Sequence, residues 1–185
     1  MIFDNSGRLD HIDGVNVIRS PRNIGTYGRR LAAHHAKHDL IFTQDDDCLI
    51  QNVPQLLAAY LEKPDCITAG LSQGHYRIEA NKTDWLQLGW GSWQKREWFD
   101  NVEQYIACYG VDDLLLSKFD RVYSVLHARH NPLVANFTRL KGPDGTDSDR
   151  DASSLWLQKN HWKLRDEAVA RAVAIRDSAA PGSVC

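Results

Sequence analysis

Three consecutive carboxylates interrupt the apolar run Asp39-Leu40-Ile41-Phe42-Thr43-Gln44-Asp45-Asp46-Asp47-Cys48-Leu49-Ile50. Adjacent like charges repel, and carboxylates at the edge of a core are costly unless something positive sits beside them. A hard divalent cation, Mg²⁺ or Mn²⁺, prefers carboxylate oxygens and meets that need. A solvated acidic turn is the plainer alternative. Asp4 follows Ile2-Phe3 and precedes Asn5-Ser6-Gly7, where it is either a ligand or the cap of a turn. Asn23-Ile24-Gly25 precedes Arg29 and Arg30, guanidiniums suited to phosphate and equally to a solvated helix face. Asp112-Asp113 offers a general base. Asp112 is also a natural helix N-cap, and the helix dipole favours Asp113 in a first turn. His127 and His130 are imidazoles able to ligate metal or to sit at the surface. Trp90 and Trp93, flanked by glycines, offer faces for stacking on a sugar or base. His34 and His38 are at helical spacing without a third ligand and read as a solvated face.

Alternating strands and helices would position these groups. Ile2 and Phe3 end one strand, and Val15 to Ile18 form a second. A helix is predicted from about Thr26 to Lys37, then a strand from Leu40 to Gln44. Asn52 would cap a helix through about Leu61, stopped by Lys63-Pro64-Asp65, and Cys66 to Leu71 make another strand. This order predicts an α/β sandwich with a mostly parallel sheet, in which ligands gather outside strand carboxyl ends. Both Asp4 and the Asp45–Asp47 triplet stand at such ends. Further on, Trp85 to Trp93 reads as a strand entering a loop and Arg96 to Ala107 as a helix. A short helix should run to Phe119, and Arg121 to Leu126 should be a strand. Thr138 to Asp151, rich in Gly, Asp and Ser, reads as a mobile loop, and a helix over about Ala152 to Arg176 closes the chain.

With 185 residues, 43% apolar and 25% charged, the chain is expected to form one domain. A net charge of −2 provides no global basic field for nucleic acid or anionic membrane. No apolar run is long enough to span a bilayer, so no stable membrane insertion is expected. Cys48, Cys66, Cys108 and Cys185 lack metal spacing and read as reduced, mostly buried thiols of a cytoplasmic protein.

In order, these motifs resemble a GT-A (Rossmann-like) glycosyltransferase of the family 2 type. Ile-Phe-Asp-Asn-Ser-Gly, Asn23-x-Gly25 before a helix, and an apolar strand ending in Asp-Asp-Asp look like its nucleotide-sugar half, residues 1–75. Gly89 to Glu97, Gly110-Val111-Asp112-Asp113-Leu114 and Val122 to His127 resemble its acceptor half, residues 76–135. The resemblance implies sugar transfer from a nucleotide-sugar donor to a hydroxyl acceptor on a glycan, lipid, protein or modified nucleic acid, aided by Mn²⁺ or Mg²⁺. It implies donor contacts from Asp4, Asn23, Gly25, Arg30, Asp45 and Asp46, and acceptor contacts from Trp90, Gly91 and Trp93. Asp45 and Asp47 fit the DxD motif and would bind metal, with His127 or His130 completing the shell. Asp113, or Asp112, would be the base. The family's usual first strand and helix have no counterpart before Met1, which would leave unpaired backbone on neighbouring strands. Two other readings use the same residues: a metal-dependent nuclease or phosphohydrolase, and a non-catalytic nucleotide- or carbohydrate-binding remnant.

Overall fold

The computed structural model describes residues 1–71, 86–141 and 159–179. Their architecture is mixed α/β. The largest sheet has four strands in the order β3 (Leu40–Thr43), β6 (Ser92–Lys95), β5 (Ile67–Leu71) and β7 (His130–Val134). β6 runs antiparallel to both of its neighbours, while β5 and β7 are parallel. Every residue of β5 is buried, as expected for an inner strand covered on both faces. Pro132 lies in β7, where the lack of an N–H is tolerated because β7 is an edge.

The expectation of one mostly parallel sheet is corrected in two ways. β1 (Ile2–Asp4) and β2 (Val17–Arg19) form a separate parallel pair, and β3 is an edge of the four-stranded sheet. β4 (Cys48–Ile50) and β8 (Phe137–Arg139) form an antiparallel pair that no local sequence pattern announces. Thr138 and Arg139 therefore belong to a strand rather than to the expected loop. Residues 142–151 of that loop, the start of the expected closing helix and Trp85 lie outside the described residues.

Apolar side chains form a cluster on each face. One combines Cys48, Ile50, Leu56 and Trp90 with Phe42, Trp93, Leu133 and Phe137, beneath α2 (Val53–Glu62). The larger one joins Ile67 and Ala69 to Phe99, Tyr105, Leu115, Phe119, Val122 and Tyr123. It brings in the 3-10 turn Arg96–Val102, α3 (Glu103–Tyr109), α4 (Asp113–His127) and α5 (His161–Ser178). Ala168 and Ala172 are fully buried on α5; small side chains let it lie close against α4.

α4 replaces the expected short helix and strand. Val122, Tyr123 and Val125 favour strands intrinsically. Read at helical spacing, Leu115, Phe119, Val122 and Tyr123 make one stripe, and burial of that stripe decides the outcome. Asp112 caps α4 by accepting from Leu115 N at 2.8 Å, and Ala128 ends it at φ 59°. The predicted helix from Thr26 is shorter than expected: a 3-10 turn at Gly25–Tyr27 leads into α1 (Gly28–His34). His38 thus lies beyond it. Cys48 is the one buried cysteine among those described; Cys66 is half-buried and Cys108 exposed, and all three are free. No described helix is long and apolar enough to cross a membrane.

Lys118 interrupts α4 with non-helical angles and is only 4% exposed. Its Nζ donates to His161 Nδ1 at 3.0 Å. Burial, then the positive charges of Arg121 and Arg165, lower its pKa from 10.5 to about 8. The unfolded chain therefore holds this proton between those values while the fold releases it, so stability should rise with pH across that window. Lys118→Met should remove the rise, as read from urea midpoints at pH 8 and pH 10.5.

Candidate functional site

The acidic turn follows β3 directly. Asp45 N donates to Gly89 O at 2.7 Å, which fastens the turn to the 3-10 segment Leu88–Trp90. A Cβ on Gly89 would overlap the Asp45 carboxylate, so glycine is required for the carboxylate to lie there. Asp45 Oδ1 accepts from Arg29. The same guanidinium donates through Nη1 to both oxygens of Asp120, at 2.9 and 3.0 Å. The side chains of Arg29 and Asp120 are each 12% exposed, whereas that of Asp45 is 38% exposed. Burial opposes the charge on Arg29, but Asp120 and Asp45 outweigh it and hold the guanidinium protonated. Burial pushes the Asp120 carboxyl up, against the pull of Arg29.

Asp46 is exposed and Asp47 half-buried. Asp47 Oδ1 is buried without a hydrogen-bond partner. Burial first, then Asp45 and Asp46, raise the pKa of Asp47, while Arg139 pulls the other way. Cys48, beneath the turn, is pushed up to about 12 by burial and by Asp47 and Asp45, which leaves an unreactive thiol.

His127 and His130 do not join these carboxylates. Asp45 to Asp47 follow the carboxyl end of β3, whereas His130 opens β7 opposite Ile67, the first residue of its parallel partner β5. Three strand spacings, roughly 14 Å together, also separate β3 from β7. His127, at the end of α4, lies against Trp98 with ring centroids 4.2 Å apart and shares a hydrogen bond with Asn101 at 3.1 Å. Burial lowers its pKa to about 4, leaving a neutral ring. His130 Nε2 lies 2.7 Å from Ser124 O. The expectation that either histidine completes a metal shell with Asp45 and Asp47 is thereby corrected.

Several expected ligands are committed to structure instead. Asp4 is 7% exposed. It accepts from Ser6 N at 2.8 Å, Ser6 Oγ at 2.6 Å and Leu9 N at 2.8 Å. These bonds, the Ser6 hydroxyl foremost, lower its pKa to about 2. Asp4 therefore organises the turn after β1. Asn23 accepts from Gly25 N at 2.8 Å. Asn5, which the sequence suggests only as part of a turn, clamps the same loop: it accepts from Ile24 N and donates to Gly25 O, both at 3.0 Å. Arg30 donates to Tyr27 Oη at 2.8 Å and to Glu103, so its guanidinium ties the 3-10 turn to α3.

Trp90, Gly91 and Trp93 belong to the core beneath α2. Trp90 is 7% exposed and stacks on Phe137 at 5.5 Å. A Cβ on Gly91 would come within 3.1 Å of Ile50 and Phe42. Trp93 faces Phe42 across the β3–β6 register, with ring centroids 5.0 Å apart. The three pack as core rather than as a surface for stacking an acceptor.

Of the paired carboxylates, Asp112 is engaged by its cap and by Arg171 at 2.9 Å. Asp113 is exposed in the first turn of α4. Seven residues separate it from Asp120, roughly 10 Å of helix.

Among the described residues, no three His, Cys, Asp or Glu side chains converge to hold a metal ion. Asp45 and Asp47 do not make an all-protein cage. They suit a cation such as Mg²⁺, which commonly uses one or two carboxylates, water and substrate phosphates. The orphaned Asp47 oxygen and the glycine cradle of Asp45 fit that mode. No family model, curated protein or solved structure matches the chain.

Proposed function

We propose that the chain transfers a sugar from a nucleotide-sugar donor to a hydroxyl acceptor, on a domain of GT-A type. The observation that carries the reading is the acidic turn after β3, with its buried, unpartnered Asp47 oxygen. Asp45 and Asp47 would hold Mn²⁺ or Mg²⁺ beside the donor diphosphate. The bound cation supplies Lewis-acid stabilisation of the leaving diphosphate. Gly89 leaves room for the Asp45 carboxylate and its carbonyl accepts from Asp45 N, which fixes the turn that carries the charge. Asp113, exposed at the head of α4, accepts the proton of the acceptor hydroxyl. The hydroxyl oxygen then bonds to the anomeric carbon. The bond from that carbon to the phosphate oxygen breaks, and the nucleoside diphosphate leaves with the electron pair.

The test is release of nucleoside diphosphate across a panel of nucleotide sugars with Mn²⁺. Release is expected with at least one donor. Asp47→Asn should slow it by about tenfold or more, an increase of about 1.4 kcal/mol in the barrier. Asp113→Asn should slow transfer to an acceptor more than hydrolysis by water. Absence of release with every donor would overturn the reading, and full activity in Asp47→Asn would remove the acidic turn from it.

A further inference from the structure

The Arg29 guanidinium is shared between two carboxylates of unequal burial, and the pairings differ in kind. Asp120 takes both of its oxygens to Nη1, in a nearly buried pair. Asp45 takes one oxygen to Nη2 and is itself 38% exposed. Asp45 is thus the partner that can be given up while Arg29 stays compensated. Asp47, whose Oδ1 is buried without a hydrogen-bond partner, stands two residues along the same turn from the carboxylate that Arg29 occupies. A divalent cation drawn to the acidic turn meets a positive group already in place.

We propose that Arg29 is the built-in counter-cation of the acidic turn: a divalent cation and Arg29 compete for Asp45, and Asp120 is the anchor to which Arg29 withdraws when the cation enters. This rests on the proposed use of Asp45 and Asp47 as cation ligands, and not on sugar transfer itself. Without a cation, Arg29 neutralises Asp45 and keeps the turn ordered. With one, its charge is retained by Asp120 rather than left buried and unpaired, which would be costly. Because binding and pairing are linked, whatever strengthens Arg29 on Asp45 weakens the cation by the same factor. Arg29 is therefore a positioning residue that sets cation affinity.

The competition is read from Mn²⁺ binding to the full chain without nucleotide, followed by loss of the free-ion electron paramagnetic resonance signal. Two variants should move in opposite directions. Asp120→Asn removes the anchoring charge, leaves Asp45 as the sole anionic partner of Arg29, and should weaken Mn²⁺ by about threefold. Arg29→Met with Asp120→Asn removes both charges together, frees Asp45, and should tighten Mn²⁺ by about fivefold or more, within the usual range of coupling. Thermal unfolding of each variant confirms that the protein titrated is folded. A purely structural role predicts weaker or unchanged binding in both, and either pattern overturns the competition while leaving transfer activity to be judged by its own assay. If wild type and both variants bind no Mn²⁺ at millimolar concentrations, the competition falls together with the cation site.

Discussion

Arg29→Met is expected to lower the unfolding free energy by about 3–5 kcal/mol, the cost of leaving a buried ionic partner alone. Asp120 is 8% exposed overall, and Arg29 supplies two hydrogen bonds to it. Met is close in volume to the Arg stem, so packing changes little and the loss reports on charge. Asp45 contributes less to the penalty because its partly exposed carboxylate can rehydrate. Adding Asp120→Asn should restore most of the stability, since the remaining amide carries no charge. Arg30→Met is the internal control. Arg30 also lies on α1, but its partner Glu103 is 58% exposed, and such pairs contribute about 0–1 kcal/mol. Urea midpoints of the three variants check the ordering. Equal losses for Arg29 and Arg30, or no recovery in the double variant, would refute the buried-pair account.

That pair also marks where sequence reasoning stops. The acidic turn is legible because a β-branched and aromatic run ends abruptly in charge, and the structure puts it after β3 as expected. Apart from β4, the alternation of strands and helices up to β5 is legible for the same reason: each element has its own local periodicity. Asp120 is not. It is 91 residues from Arg29, at the junction between an expected helix ending at Phe119 and an expected strand starting at Arg121. Only when Leu115 to Tyr123 is placed on one long helix does Asp120 stand out as a carboxylate beside a buried stripe. The His127 and His130 assignment fails for a related reason. Placing them at a carboxyl end of a strand requires Arg121 to Leu126 to be one, and these residues lie in α4 instead. Long-range pairings such as β4 with β8 leave no local trace either, because Cys48–Ile50 and Phe137–Arg139 are each only three residues long. Trp90 and Trp93 mislead in the opposite direction: flanking glycines suggest exposure, whereas Gly91 is there because Ile50 and Phe42 crowd the place of a Cβ.

Gly25→Ala is expected to cost about 2–5 kcal/mol, through two separate effects at one atom. The first is conformational. Gly25 has φ +58°, and the left-handed region costs an L-residue roughly 1–2 kcal/mol. The second is steric. A Cβ would stand 2.6 Å from Leu116 O and 3.2 Å from Ser117 Cα, both backbone atoms of α4 that cannot rotate aside, and overpacking of this kind costs about 1–3 kcal/mol. The loop cannot move freely to relieve it, because Asn5 holds Ile24 N and Gly25 O, and Asn23 holds Gly25 N. The substitution should therefore push the loop away from the first turns of α4, where Asp113 is carried. Asn5→Ala offers the complementary change: it releases the clamp without adding volume, and should partly relieve the strain when combined with Gly25→Ala. The double variant would then be less destabilised than the sum of the two single changes, the non-additivity expected of residues in contact. Strict additivity in urea unfolding would mean that the loop yields without the clamp, and that Asn5 does not fix the approach of Gly25 to α4.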